Sequence, residues 1–138
     1  MDREELKTIL PHRPPMLLLD DAAADGDKAI GHYTVRGDEY FLQGHFPSDP
    51  IVPGVILCEI LAQSACVLLQ GSMEAGTLPV YTGLDKVRFR HPVRPGDTIE
   101  TSCIITKVKK PFYFASGTAS VDGKVCVTAD FSFAVTGV

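Results

Sequence analysis

Sixteen consecutive residues, Val55 to Gln70, read VILCEILAQSACVLLQ and contain a single charge, Glu59. Pro53 just ahead and Gly71 just behind punctuate the run as a helix, since proline suits a first turn and glycine a helix C-terminus. Its apolar residues surround the helix instead of forming one stripe, and a helix of that kind is buried on most sides. Glu59 and Gln63 interrupt it, so it does not read as a membrane span. The 138-residue chain is expected to be one domain, residues 1–138. A domain this small can bury such a helix by wrapping a curved sheet around it.

The second half of the chain supplies strands. From Val125 to Thr136, residues Val125, Val127, Ala129, Phe131, Phe133 and Val135 alternate with Cys126, Thr128, Asp130, Ser132, Ala134 and Thr136. That is a period-two strand with one buried face. Val87 and Phe89 likewise alternate with Lys86, Arg88 and Arg90. Asp122-Gly123 is a hairpin signal, and Pro95-Gly96 marks another turn. In the first half, Asp2 to Leu10 reads as a short amphipathic helix ended by Pro11. Met16 to Leu19 and Ala29 to Val35 read as strands, and Asp38 to Leu42 as a helical turn capped by Asp38. One long buried helix held by an antiparallel sheet is an α+β arrangement of the hot-dog type.

Hydrophobic residues make up 45% of the chain, enough for a core without disulfides or metal. Cys58, Cys66, Cys103 and Cys126 show no CxxC spacing, so they read as reduced core thiols and not as a zinc site or redox pair. The charged N-terminus lacks the apolar core of a signal peptide, and the chain reads as soluble and cytoplasmic. A net charge of −4 disfavours nonspecific nucleic-acid binding.

Three residues near the start of the apolar helix could do chemistry. Glu59 occupies its second turn, where a carboxylate is costly to bury unless it is paired, hydrogen-bonded or protonated. A carboxyl that keeps its proton suits general-acid work. Gln63, four residues on, shares its face, so Glu59 reads equally well as a structural carboxylate satisfied by Gln63 or a backbone N–H. His45 lies in Gly44-His-Phe-Pro47, within a loop from Gly44 to Gly54 that holds three prolines and two glycines. Histidine can act as a base near neutral pH; taken alone, this one reads as a loop histidine that packs or hydrogen-bonds. What raises its interest is that the stiffened loop leads straight into the helix bearing Glu59. Gly54 opens that helix, where free N–H groups can donate to an oxygen gaining negative charge. Alone it reads as an ordinary helix-start glycine.

Taken together these residues form a pattern. Gly44-His-Phe-Pro-x-x-Pro50-x-x-Pro53-Gly-Val55-x-x-x-Glu59-x-x-x-Gln63 resembles the signature of the β-hydroxyacyl-carrier-protein dehydratases of bacterial-type fatty acid synthesis. So do Leu10-Pro-His-Arg-Pro14 followed by Leu17-Leu-Leu-Asp20, and Gly83-x-Asp85-x-Val-Arg-Phe-Arg90-x-Pro92-Val93 followed by Pro95-Gly-Asp97. The terminal Val121-Asp-Gly123 turn fits as well, and the resemblance covers nearly the whole chain. It implies a hot-dog dimer, often assembled as a trimer of dimers, with the active site at the dimer interface. It implies that His45 of one subunit removes the C2 proton of a (3R)-3-hydroxyacyl thioester. Glu59 of the other subunit would protonate the leaving hydroxyl, while the Gly54 N–H holds the thioester carbonyl and Gln63 supports the site. No metal or redox cofactor is implied; the substrate rides on the phosphopantetheine arm of acyl carrier protein. Ile60-Leu61 departs from the family's usual Ala-Met or Ala-Leu, which leaves chain length open. Glu59, where a dehydratase-isomerase branch carries aspartate, points to the plain dehydratase.

Lys86, Arg88, Arg90 and Arg94 form a basic group that reads either as a solvated face or as a docking patch for the acidic carrier protein. His12, beside Arg13, reads as a residue that locks structure, and His32 and His91 as strand and loop histidines without a catalytic part. The same pattern leaves room for a hot-dog thioesterase, a hydratase acting on coenzyme A esters, and a non-catalytic acyl-binding protein, which thiol release, the preferred carrier or inertness would respectively reveal.

Overall fold

The computed structural model describes residues 1–71, 73–74 and 76–137. A short helix α1 (Arg3–Leu6) leads into strands β1 (Asp21–Asp25) and β2 (Lys28–Thr34) and a 3₁₀ turn at Tyr40–Leu42. Helix α2 (Gly54–Ala65) follows, continued by a 3₁₀ turn at Cys66–Leu69. Strands β3 (Thr77–Phe89), β4 (Thr98–Lys109), β5 (Phe112–Val121) and β6 (Lys124–Gly137) complete the chain. All six strands form one antiparallel sheet in the order β1-β2-β4-β5-β6-β3. Helix α2 packs on β2, β4, β5 and β6, which is the α+β hot-dog arrangement expected.

The helix and the sheet meet through Leu57, Ile60, Leu61 and Ala65 on one side and Ile99, Cys103, Val127, Ala129, Phe131 and Phe133 on the other, all buried. Residues Val127 to Phe133 keep the predicted alternation. At the ends of β6 it fails: Val125 and Val135 are only half-buried, while Cys126 and Ala134 are buried. The register explains the first of these. Ala119 faces Val127 and Ser120 faces Val125, so Cys126 is the extra residue of a bulge and turns inward. Asp122 and Gly123 both take positive φ, the backbone of a two-residue hairpin turn between β5 and β6.

Several expectations from the sequence are corrected. The first helix stops at Leu6, and turns carry the chain on to Leu10. Met16 to Leu19 is not a strand. Leu17, Leu18 and Leu19 are all buried, which an alternating strand on a one-sided sheet does not allow, and the Leu18 N–H goes to a side chain of α2. The turn at Tyr40–Leu42 begins at Glu39, not Asp38, and has no side-chain cap. The Glu39 carboxylate instead accepts from the N–H groups of Arg36 and Gly37 and from the Tyr33 hydroxyl. The long apolar helix keeps α geometry only to Ala65 before tightening. In β3 a bulge between Asp85 and Arg88, with Lys86 at φ 51°, breaks the alternation of Lys86 to Arg90. Val87 is half-buried, Phe89 is exposed, and Arg90 lies beyond the strand.

Candidate active site

Glu59 sits where α2 passes beneath the segment after α1. Its side chain is 23% exposed, and one oxygen, Oε2, carries its contacts. The Gln63 Nε2 donates to Oε2 at 3.0 Å, and the His12 Nε2 lies 3.2 Å from the same atom. Gln63 is buried and has no freedom to turn. Its Oε1 accepts from the Leu18 N–H at 2.9 Å, and its Nε2 also donates to the Met16 carbonyl at 2.8 Å. A buried amide with each end matched to a backbone partner has a fixed orientation.

His12 is the residue that sequence reasoning missed at this site. The neighbouring Arg13 does lock structure, donating to the carbonyls of Leu10, His12 and Lys7. His12 itself turns towards Glu59, and its Nδ1 is buried with no partner among the described residues. Nothing local in Pro-His-Arg-Pro signals a contact with a helix so far along the chain.

Glu59, His12 and Gln63 line a small cavity of about 60 Å³ together with Cys66, Tyr81 and Phe133. Its other titratable groups are held uncharged. Burial pushes the Cys66 thiol up to about 12, so it is no thiolate nucleophile at neutral pH. Burial also holds the Tyr81 phenol well above its ordinary range, and its hydroxyl donates to the Cys58 carbonyl.

His45 stands apart from this group. Among the described residues no hydrogen bond joins it to Glu59, and it does not line the cavity. Its Nδ1 lies 2.9 Å from the Ile51 carbonyl. A carbonyl only accepts, so Nδ1 bears a proton and the neutral ring presents its lone pair at Nε2. The loop around it is tied down on several sides. Asp49 N–H donates to the Phe46 carbonyl, Val52 N–H to the Val93 carbonyl, and the Arg94 guanidinium grips the Asp49 carboxylate at 3.1 and 3.2 Å.

Gly54 begins α2 after Pro53, which offers no side-chain cap, and no hydrogen bond among the described residues uses its N–H. A packing reason for glycine also emerges. A Cβ there would come within 2.7 Å of the Phe89 ring, so the ring closes over the first turn of the helix. Of the basic group, Lys86, Arg88 and Arg90 are exposed, with the bulge at Lys86 dividing them. The bulge and the end of β3 at Phe89 keep Lys86, Arg88 and Arg90 from sharing one strand face, and Arg94 is drawn away to Asp49 on the His45 loop.

Residues 10–130 match the family model described as the FabA-like domain. The chain belongs to that family. It is 44% identical over 138 residues to the 3-hydroxyacyl-[acyl-carrier-protein] dehydratase FabZ of Clostridium botulinum, covering 96% of each chain. It is 41% identical over 139 residues to the protein of the same name from Thermoanaerobacter pseudethanolicus, covering 99% of this chain and 98% of that one. Among solved structures, the dehydratase heterocomplex ApeI:P from Xenorhabdus doucetiae superposes with a TM-score of 0.82 at 22% identity, covering 96% of this chain and 91% of that one. A putative thioesterase from Ralstonia eutropha superposes at 0.65 and 20% identity, covering 83% of each. These two likenesses concern the fold alone. Among the described residues, no helix is long and apolar enough to cross a membrane.

Proposed function

We propose that this chain dehydrates (3R)-3-hydroxyacyl-[acyl-carrier-protein] to the trans-2-enoyl thioester in fatty acid biosynthesis, with His45 as base and Glu59 as acid. The observation that carries the reading is the bond between His45 Nδ1 and the Ile51 carbonyl, which leaves Nε2 as a free base on a braced loop. The relatives named FabZ supply the substrate class. His45 Nε2 takes the C2 proton, the electrons of that bond form the C2–C3 double bond, and the C3–O bond breaks. Hydroxide is a poor leaving group, so the proton of Glu59 goes to the departing oxygen and water leaves. Negative charge that gathers on the thioester carbonyl meets the unused Gly54 N–H at the start of α2. These three groups cover the three tasks, so the reaction calls for no metal or redox cofactor.

His45 and Glu59 belong to different subunits in this reading. Three features support a second copy of the chain as the missing half. β3 is an edge of the sheet, with unpaired backbone groups along its outer side. Its exposed apolar residues include Val80, Leu84 and Phe89. On α2, Val55 is 72% exposed while Glu59 and Ala62 are partly open, a stripe that one chain leaves uncovered. A two-fold dimer through β3 would cover both, and three such dimers would make the hexamer. Acyl carrier protein would bring the thioester on its phosphopantetheine arm and meet the exposed Lys86, Arg88 and Arg90 in the cytoplasm, where the four buried free cysteines stay reduced.

The test is turnover of (3R)-3-hydroxybutyryl carrier protein by wild type, His45→Ala and Glu59→Gln, followed as the conjugated enoyl thioester. Rapid turnover by wild type alone, with both variants folded, supports the reading. An inert wild-type dimer, or release of free thiol from acyl substrates, overturns it.

A further inference from the structure

We infer that His12 is a positioning residue that, together with Gln63, holds one oxygen of Glu59 and so leaves the other to carry the acid proton. The inference rests on Glu59 being the acid of the proposed reaction, and it begins from the donors that reach that carboxyl. The Leu18 N–H must be received by Gln63 Oε1, so Gln63 presents an N–H, and not an oxygen, to Glu59 Oε2. His12 Nε2 converges on the same oxygen. An Oε2 that accepts from Gln63 and has the His12 Nε2 only 3.2 Å away has no room for a proton of its own, because that proton would point at a donor. The proton of a neutral Glu59 therefore belongs on Oε1, which makes no hydrogen bond among the described residues.

The other nitrogen of His12 defines its role. Nδ1 is buried and unpartnered among the described residues. A proton there would be a buried donor with nothing to receive it. The ring is thus held as the Nε2–H tautomer, with Nδ1 bare. With Nδ1 buried, the ring cannot take up a proton on one nitrogen while giving one from the other, so His12 is a fixed donor and not a relay that recharges Glu59. After proton transfer the Gln63 N–H and the adjacent His12 ring remain beside the new carboxylate, which lowers the energy of the charged acid without any rearrangement.

The residue's neighbours agree with a positioning role. Arg13 pins the segment through three carbonyls, one of them that of His12 itself, so the imidazole is delivered from a braced backbone. Tyr81, the other polar ring in the cavity, spends its hydroxyl on the Cys58 carbonyl. Gln63, which bonds to Glu59, and His12, 3.2 Å from the same oxygen, are left as the two described polar side chains at its carboxyl.

The experiment compares His12→Phe, which keeps a flat ring without a donor, with His12→Gln, whose amide restores an N–H near the Nε2 position. Both are assayed with (3R)-3-hydroxybutyryl carrier protein, and thermal melting and gel filtration monitor the fold. The expected result for His12→Phe is a loss of about 100-fold in kcat, the usual scale for a misdirected catalytic group, with KM little changed. His12→Gln should recover most of that loss. Wild-type kcat in His12→Phe overturns the inference, and so does equal impairment of the two variants at equal melting temperature. In parallel, ¹⁵N NMR of the histidine rings in the wild type should show His12 protonated at Nε2 with Nδ1 bare. The opposite tautomer overturns the inference even if His12→Phe does not fold. A wild type inert towards 3-hydroxyacyl thioesters would instead sink the dehydratase reading, and the NMR result would still decide the placement of His12.

Discussion

The main-chain N–H of Leu18 donates to Oε1 of Gln63 at 2.9 Å, and this one bond decides which end of the amide faces Glu59. Gln63→Leu removes that acceptor and leaves the buried Leu18 N–H without a partner, a cost of about 1–3 kcal/mol on its own. Urea unfolding should therefore show a loss of at least that size. Gln63→Glu keeps the acceptor but turns an oxygen towards Glu59 and the Met16 carbonyl. At neutral pH it should be destabilised as well. The new carboxyl would favour its protonated form in the fold, so the fold binds the extra proton and stability is regained as pH falls. Melting curves at neutral and mildly acidic pH separate the two substitutions: the leucine variant should show no such recovery.

The ion pair between Asp49 and Arg94 ties the His45 loop to the turn at Pro95-Gly96, and the guanidinium holds the Asp49 carboxyl below its usual range. Asp49→Ala and Arg94→Ala should each lower kcat by a similar factor. The double variant should be no worse than either single one, which is the mark of one shared interaction. Arg88→Ala and Arg90→Ala should behave differently. If they meet the acidic carrier protein, they should raise KM and flatten the salt dependence of kcat/KM. A rise in KM confined to Arg94→Ala would reverse this division of labour.

Much of the fold was readable from sequence because it is local. The run from Val55 declares a buried helix, Asp122-Gly123 declares a turn, and Val127 to Phe133 alternates as a strand lying on a core must. The pairing of Glu59 with Gln63 was legible for the same reason, as a spacing of four residues on one helix brings them together, whereas His45 on the preceding loop stays apart from them. Contacts made between distant segments were not. Leu18 and Gln63 are 45 residues apart, and no periodicity announces that three adjacent buried leucines will surrender a backbone donor to a helix side chain. His12 was overlooked at Glu59 on the same ground. The bulges at Lys86 and Cys126 were hidden because one inserted residue leaves the composition of a strand intact while reversing the faces of the residues beyond it.

His32 provides a pH readout away from the site. Its Nδ1 lies 2.7 Å from Asp21 and its Nε2 3.0 Å from Glu100, so one ring joins β1, β2 and β4. The hydrogen bond to Asp21, followed by the one to Glu100, outweighs desolvation and raises the histidine above its ordinary 6.5. A group raised in the folded state stabilises it fully below the unfolded value and loses that contribution as pH climbs through the folded one. Wild type should therefore lose stability progressively above pH 6.5, whereas His32→Gln should lack this part of the slope. The ring is partly open to solvent, so the effect should be small and should weaken in salt. Parallel melting curves for the two proteins across this range would discard the prediction.

The separation of His45 from Glu59 within one chain leads to a complementation experiment. If a two-fold dimer builds each site from His45 of one subunit and Glu59 of the other, a mixed dimer of His45→Ala with Glu59→Gln contains one doubly disabled site and one intact site. Each homodimer of the variants is inactive at both sites. Random mixing makes half of the dimers mixed, and half of their sites work, so about a quarter of wild-type activity should return. Catalysis by a pair from the same chain gives the contrary result, since every site in every combination would then lack one partner. Co-expression with two different affinity tags isolates the mixed dimer, whose activity should be about half that of wild type. Recovery near zero in a mixed dimer of normal size and melting temperature would require His45 and Glu59 to act within one subunit, and the loop from Gly44 to Gly54 would then have to move to bring them together.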